Sequence, residues 1–206
     1  MDLHEVAVDP AVARWLPELA IAAALAWGAG IRLYAVLLLV GLAGSMGWVA
    51  LPSHLTLLSH PLVMGSSGFM AVVELLADKV PWMDSLWDAI HTLIRIPAGA
   101  ALAAAALGDS GAAVALAAAI LGGTLAAGSH LTKAGTRGVV NGSPEPFSNW
   151  LLSFAEDLMV PAGLWLAFVK PAIFLVLLAI GAVCSFVLLR WISKGLSALW
   201  RRLRPA

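Results

Sequence analysis

The sequence predicts an all-α fold, a polytopic membrane helix bundle of about six transmembrane helices, and three observations carry that reading. Hydrophobic residues make up 61% of the 206 and charged ones only 12%, with a mean hydropathy of +0.93, a composition that soluble domains do not reach. Apolar segments lie at 16–48, 61–78, 94–108, 112–128, 147–169 and 171–192, each near or above the roughly 20 residues that cross a 30 Å hydrocarbon core as a helix. Between them fall turn signals such as "LGDSG" at 107–111, "NGSPEPFSN" at 141–149 and "KPA" at 170–172. The expectation is a single integral membrane domain over 1–206, with the bundle at 16–192 and a basic tail at 193–206.

The start, "MDLHEVAVDPAVARW", carries Asp2, Glu5 and Asp9 where a secretory signal would be basic, so the first helix is expected to be kept. At 16–48 the first segment is too long for one straight crossing, and "WGAGIR" interrupts it with Gly28 and Gly30 just before Arg32. A broken helix is expected there. The fourth segment has Gly122, Gly123 and Gly128, then "KAGTRG" with Gly135, and a second break is expected.

Both regions contain Ala-Gly-x-Arg, at 29–32 and 134–137. In a three-plus-three arrangement they would correspond and run in opposite directions, as in transporters built from inverted repeats. A competing match, "PAG" at 97–99 and at 161–163, pairs segments three and five instead. Lys79, Lys133, Arg137, Lys194, Arg201, Arg202 and Arg204 follow even-numbered crossings, and Lys170 dissents. By the positive-inside rule both termini are then cytoplasmic in a bacterial inner membrane.

Polar residues inside apolar segments are the candidate site, because an intramembrane charge costs about 2.5–3.5 kcal/mol on insertion scales and is normally paired or faces a cavity. Glu156 and Asp157 sit at the centre of segment five, and Glu74 and Asp78 share one helix face. Arg32 is the obvious counter-charge. Two readings stand for these carboxylates: a proton or cation site, or an ion pair locking two helices.

Asp84, Asp88, His91 and Arg95 recur at intervals of four, three and four, and so form one helical stripe. Either this is an interfacial amphipathic helix anchored by Trp82 and Trp87, or it runs on into segment three and lines a cytoplasmic access path. His130, Lys133, Arg137 and Asn141 form a second stripe that would meet the first as a gate or a staple.

No nucleotide-binding, zinc-protease or serine-hydrolase motif is present, and Ser153 has no histidine near it in sequence. Cys184 is the only cysteine, and His54 and His60 are a weak metal signal. An enzyme, a cofactor and a nucleic-acid partner are therefore not expected. A small ion or solute, membrane lipids and further copies of the chain are the partners the composition allows. The function this favours is a small transporter or channel working through intramembrane carboxylates. The rival is a phospholipid-binding or scaffold protein, for which the basic tail speaks.

The joint pattern "E..ADKVP..D...D..H...R..AG" from Glu74 to Gly99, followed by "H..KAGTR...N.SPEP..N...S..ED" from His130 to Asp157, resembles the bacterial membrane family described as domain of unknown function four-one-two-six. The resemblance runs from about Gly28 to Leu166 and implies a polytopic membrane protein without an established substrate. A looser similarity is to cation/proton exchangers with a repeated Glu-x-Gly-Asp-Lys motif. Here Glu74 and Asp78 are one residue too far apart and Ala77 replaces the glycine.

Overall fold

A computed structural model describes residues 10–142 and 147–203. Six α-helices follow in order, with two short 3-10 turns among them: α1 Pro10–Ser45, a 3-10 turn Ser53–Ser59, α2 Pro61–Ala77, α3 Pro81–Ala106, a 3-10 turn Gly108–Ser110, α4 Ala112–Val140, α5 Phe147–Val169 and α6 Pro171–Leu203. No strand occurs among the described residues. Five helices are long and apolar enough to cross a membrane, and the 3-10 turn Ser53–Ser59 with α2, bent by 66°, makes a sixth candidate. This is a multi-pass membrane protein.

The side chains are distributed as lipid demands. Leu93, Leu158 and Trp191 are 81%, 73% and 74% exposed, while Arg95 and Asp84 are fully buried. Water would favour the reverse. Hydrocarbon around the bundle makes apolar residues free to face outward and drives charges together inside.

The break in α1 is at Arg32 itself, where the backbone leaves the helix with φ −141° and ψ 71°. The bend is sharp: a Cβ added to Gly28 would stand 2.7 Å from Val36 Cγ2, whereas residues eight apart in a straight helix are about 12 Å apart along the axis. The limb before Arg32 lies along α4, Trp27 meeting Ser129 and Ile31 meeting Lys133. Beyond Arg32 the chain returns, so that Gly44 touches Ser59 in the turn whose Ser53 binds Asp109 at the α3–α4 corner. Thus α1 comes from the corner end of the bundle, turns at Arg32 and goes back.

Its first limb is the central element. Ala20, Ala24, Leu25, Ala26 and Ala29 are fully buried or nearly so, with α3, α4, α5 and α6 packed around it. Small residues set the spacing. At Gly30 a Cβ would be 2.4 Å from the Ala126 carbonyl oxygen, and at Gly99 and Gly122 it would be 2.4 Å from the methyl groups of Ala126 and Ala103. Close approach of this kind gives lipid-embedded helices their packing energy, since lipid tails supply no hydrophobic drive between helices.

Three expectations need correction. First, α4 runs unbroken over Ala112–Val140; the helix absorbs Gly122, Gly123, Gly128 and Gly135, and the last of these packs on Leu189 and Ile192. Glycine lowers helix propensity by about 1 kcal/mol, too little to break a helix packed on α3. Second, the two Ala-Gly-x-Arg copies lie on parallel elements, the first limb of α1 and α4, so this pair has no inverted relation. The competing "PAG" copies fall on α3 and α5, also parallel, where Gly99 and Gly163 abut Ala26 and Trp27 of the central limb.

Third, the described chain begins and ends at opposite ends of the bundle. Because α1 doubles back, its start shares the corner end with Ser53–Ser59, Gly108–Ser110 and the α5–α6 turn, while α6 finishes at the other. The expected tail at 193–206 is, as far as Leu203, a continuation of α6. Asp2, Glu5, Asp9, Pro146 and Arg204 fall outside the described residues.

Candidate functional site: a buried charge network

At the turn of α1, five elements bring charged groups together. Arg32 enters because the turn throws its side chain between α2 and α5: Nη1 pairs with Asp78, Nη2 lies 2.7 Å from Asp157 Oδ1 and 3.6 Å from Glu156 Oε2, and Nη2 also donates to the Ser153 hydroxyl and carbonyl. Asp78 caps the end of α2 and supplies more than its carboxylate. Its carbonyl accepts from Asn149 Nδ2 at 3.0 Å and from Arg137 Nη1 at 3.3 Å.

The stripe on α4 provides the other cations. Arg137 forms a two-pronged bond with Glu156, at 3.1 and 2.8 Å, and donates to Asn149 Oδ1 at 2.6 Å. A guanidinium matches a carboxylate in this geometry as a lysine cannot. Lys133 sits among three carboxylates, Asp78, Asp88 and Glu156, at 3.3, 3.5 and 3.5 Å. It also donates to the Ile31 carbonyl at 3.2 Å, an ammonium at the negative end of the limb's helix dipole.

The stripe on α3 faces them. α3 is continuous from Pro81 to Ala106, and Asp84, Asp88, His91 and Arg95 are all buried, which excludes a solvated interfacial helix for this segment. Arg95 bonds Asp88 at 2.8 Å and pairs with Glu74 of α2. Asn141 Nδ2 donates to Asp84 Oδ2 at 3.0 Å, and Arg137 Nη1 is 3.6 Å from the same oxygen. The two stripes therefore meet, as their complementary charges suggest. At the rim Lys79 bonds Ser153, lies 3.6 Å from Asp157 and stands over the Phe154 ring; the side chains of Lys79 and Asp157 are each 26% exposed.

The candidate residues read from the sequence are bonded into this assembly, Asn141 at its edge, except His91, whose ring nitrogens meet Trp87 and Tyr34 beside it. Several participants were not expected in it: Lys79, Thr92, Asn149 and Ser153, with Tyr34 beside it on His91. For two of them a signal existed. Asn149, Ser153 and Glu156 recur at four and three, the same periodicity that singled out the stripes on α3 and α4. Tyr34 carried no such signal, because its position depends on the turn at Arg32.

The histidines have defined protons. Arg95 Nη1 lies 3.2 Å from His130 Nδ1. A guanidinium only donates, so Nδ1 is the bare nitrogen and Nε2 carries hydrogen toward Thr92 Oγ1 at 2.7 Å; His130 is neutral. His91 Nδ1 faces the Trp87 carbonyl at 2.8 Å and must donate, leaving Nε2 to accept from the Tyr34 hydroxyl at 3.1 Å, with Trp87 stacked on the ring at 4.0 Å. Trp87 is therefore a partner of His91 within the protein.

Among the described residues no group of three or more His, Cys, Asp or Glu side chains could hold a metal. His54 faces Asp109 and His60 caps α2, the latter accepting from the Leu62 amide. Ser153 holds Arg32 and Lys79, and neither histidine of the network contacts it.

The family described as Domain of unknown function (DUF4126) matches residues 19–191, and the chain belongs to it. No curated protein and no solved structure matches.

Proposed function

We propose that this member of the DUF4126 family is a small transporter or channel of the bacterial inner membrane that moves, or couples to, a proton or cation through its intramembrane carboxylates. One observation carries the reading. Among the described residues, six carboxylates, Glu74, Asp78, Asp84, Asp88, Glu156 and Asp157, meet five cations, Arg32, Lys79, Arg95, Lys133 and Arg137, inside the apolar bundle. A structural staple needs equal numbers. An uncompensated buried carboxylate carries a desolvation penalty of several kcal/mol, so the odd acid calls for an exchangeable positive partner.

The arrangement suits exchange. Arg32 is held at a turn with a helix limb on either side, and irregular backbone at membrane depth is tolerated where it serves a polar site. Asp157 and Lys79 form the partly exposed rim through which the network would communicate with one side. Among the described residues, Lys79, Lys194, Arg201 and Arg202 belong to the end where α6 finishes, against Arg14 and Lys170 at the other. The positive-inside rule then makes that end cytoplasmic and the start of α1 external, which replaces the expectation of two cytoplasmic termini.

The test is flux in proteoliposomes for the parent, Glu156→Gln and Asp157→Asn, with folding checked by thermal unfolding in detergent. Lost or pH-shifted flux in at least one folded variant supports the proposal. No detectable proton, sodium or potassium flux in the parent overturns it. The lipid-binding alternative draws on the exposed Arg190 and Lys194 near the end of α6; it predicts retention of anionic phospholipid lost in a double Arg190→Ser, Lys194→Ser variant.

A further inference from the structure

The proposed function leaves open which group carries the odd charge, and the orphaned atoms of the network answer that. Four carboxylates of the network, Glu74, Asp78, Asp84 and Asp88, each keep one buried oxygen without a hydrogen-bond partner, Oδ1 in Asp78 and Asp84. Glu74 and Asp88 are both paired with Arg95, whereas Asp78 and Asp84, both completely buried, have only Arg137 in common. It stands 3.6 Å from an oxygen of each, Asp78 Oδ2 and Asp84 Oδ2, so the two carboxyl groups flank one guanidinium. The remaining oxygens are engaged: Asp78 Oδ2 by Arg32, Lys133 and Arg137, Asp84 Oδ2 by Asn141. Two carboxylates that close in a low-dielectric interior do not both stay ionised.

We propose that Asp78 and Asp84 form a proton-binding dyad, in which Asp84 is protonated and donates to Asp78 Oδ1. One proton taken from water then satisfies two buried acceptors and brings the network from one excess negative charge to neutrality. The charge excess persists whether or not the rim pair Lys79 and Asp157 is counted. Asp84 is the protonated partner because three cations hold Asp78 as an anion. Asp84 has the neutral Asn141 at hydrogen-bond distance, and Arg137 at 3.6 Å with its own bonds committed to Glu156 and Asn149.

The groups facing Asp84 are Asp78 from α2, Arg137 and Asn141 from α4, and Asp88 one turn along α3. The histidines are weaker claimants. His130 cannot take a proton while Arg95 donates to its Nδ1, and the neutral His91 ring already satisfies both of its bonds. Release of the proton would leave Asp84 and Asp78 repelling each other at the α2–α3 corner, against the turn at Arg32. Proton exchange at the dyad is thereby linked to the position of Arg32. The inference rests on the transport reading for its purpose, but its test does not depend on flux.

Infrared spectroscopy of the purified full chain in lipid nanodiscs at neutral pH reads the C=O stretch of a protonated carboxylic acid directly. The expected result is a buried protonated-carboxyl band that shifts on deuterium exchange, disappears in Asp84→Asn and persists in Asp157→Asn. Asp84→Asn replaces the hydroxyl by an amide that can still donate to Asp78, so it should stay folded. The parent should lose thermal stability as pH rises far enough to strip the proton, and that loss should be absent in the variant. No such band in the folded parent, a band that survives Asp84→Asn, or an alkaline destabilisation that is abolished by His91→Gln and kept in Asp84→Asn overturns the dyad. A band without any ion flux would retain the dyad and refute transport.

Discussion

The two halves of the central limb of α1 solve the same packing problem with opposite chemistry. Toward the corner end, Ala20, Ala24 and Leu25 are buried and Ala26 meets Gly99 and Gly122, and no side-chain hydrogen bond is found there among the described residues. Toward the turn, the same helix meets Ser129, Lys133, Asp78 and Glu156. The first half is held by close contact alone and is indifferent to pH. The second is held by a network that breaks as a unit if one member is lost. Stability in the apolar half depends on volume, and in the charged half on the number of charges.

Removing one cation should have the largest effect. Arg137→Ala removes the two-pronged bond to Glu156, leaving it only Lys133 and Arg32 at 3.5 and 3.6 Å, and weakens the grip on Asp78 and Asn149; a broken buried pair costs about 3–5 kcal/mol. The variant is expected to unfold at clearly lower denaturant in detergent than Arg137→Lys, and equal midpoints for the two would place little weight on the two-pronged bond. The contact between stripes is sharpened by a double-mutant cycle on Asp88→Asn and Lys133→Met, where a coupling of roughly 0.5–3 kcal/mol is expected. Strict additivity would mean that the stripes act independently.

The apolar half is probed by glycine. Gly99→Ala puts a methyl group 2.4 Å from the Ala126 methyl and 3.3 Å from the Ala26 carbonyl and should destabilise by about 1–3 kcal/mol. Gly128→Ala, where nothing lies within 4 Å of the added carbon, should be neutral or gain up to about 1 kcal/mol from helix propensity. Unfolding midpoints that move the two variants alike would remove volume as the deciding factor.

The smallest effect is expected outside both halves, at the α3–α4 corner. There Asp109 accepts from the Ser53 hydroxyl at 2.6 Å and its amide at 3.2 Å. The Ser53 hydroxyl bond first, then the amide and His54, hold its carboxyl below the usual aspartate range. With the folded value depressed, the contribution is present above the unfolded value and lost as pH falls through the folded one. Asp109→Asn should slightly flatten the acid side of the stability profile and leave neutral pH nearly unchanged, since the group is exposed and screened.

Topology offers an all-or-none comparison of the two ends. In a Cys184→Ser background, Trp15→Cys and Ser110→Cys should react with a membrane-impermeant thiol reagent from one side and Ser197→Cys from the other. Labelling of Trp15→Cys and Ser197→Cys from the same side would undo the reversal at Arg32.

Much of the site was legible in the sequence because helical periodicity is local. Spacings of three and four placed Asp84, Asp88, His91 and Arg95 on one face and His130, Lys133 and Arg137 on another, whatever the rest of the chain did. The partners were less legible. Arg32 was expected as the counter-charge to Glu74, Asp78, Glu156 and Asp157; it meets the last three, while Glu74 pairs with Arg95 of α3 instead. Lys79 and Tyr34 had no periodic signature at all.

What the sequence determined by itself is the solvent and the class: composition alone requires lipid around an all-helical chain, and apolar length counts most of its crossings. It also determined which helix faces turn inward, because a charge at membrane depth has nowhere else to go. The tertiary structure alone decided the direction of the first limb, the parallel relation of the matching segments and the continuity of α4. Those depend on one residue's backbone angles at Arg32 and on how closely glycine and alanine let neighbouring helices approach. Neither quantity leaves a mark on hydropathy or spacing.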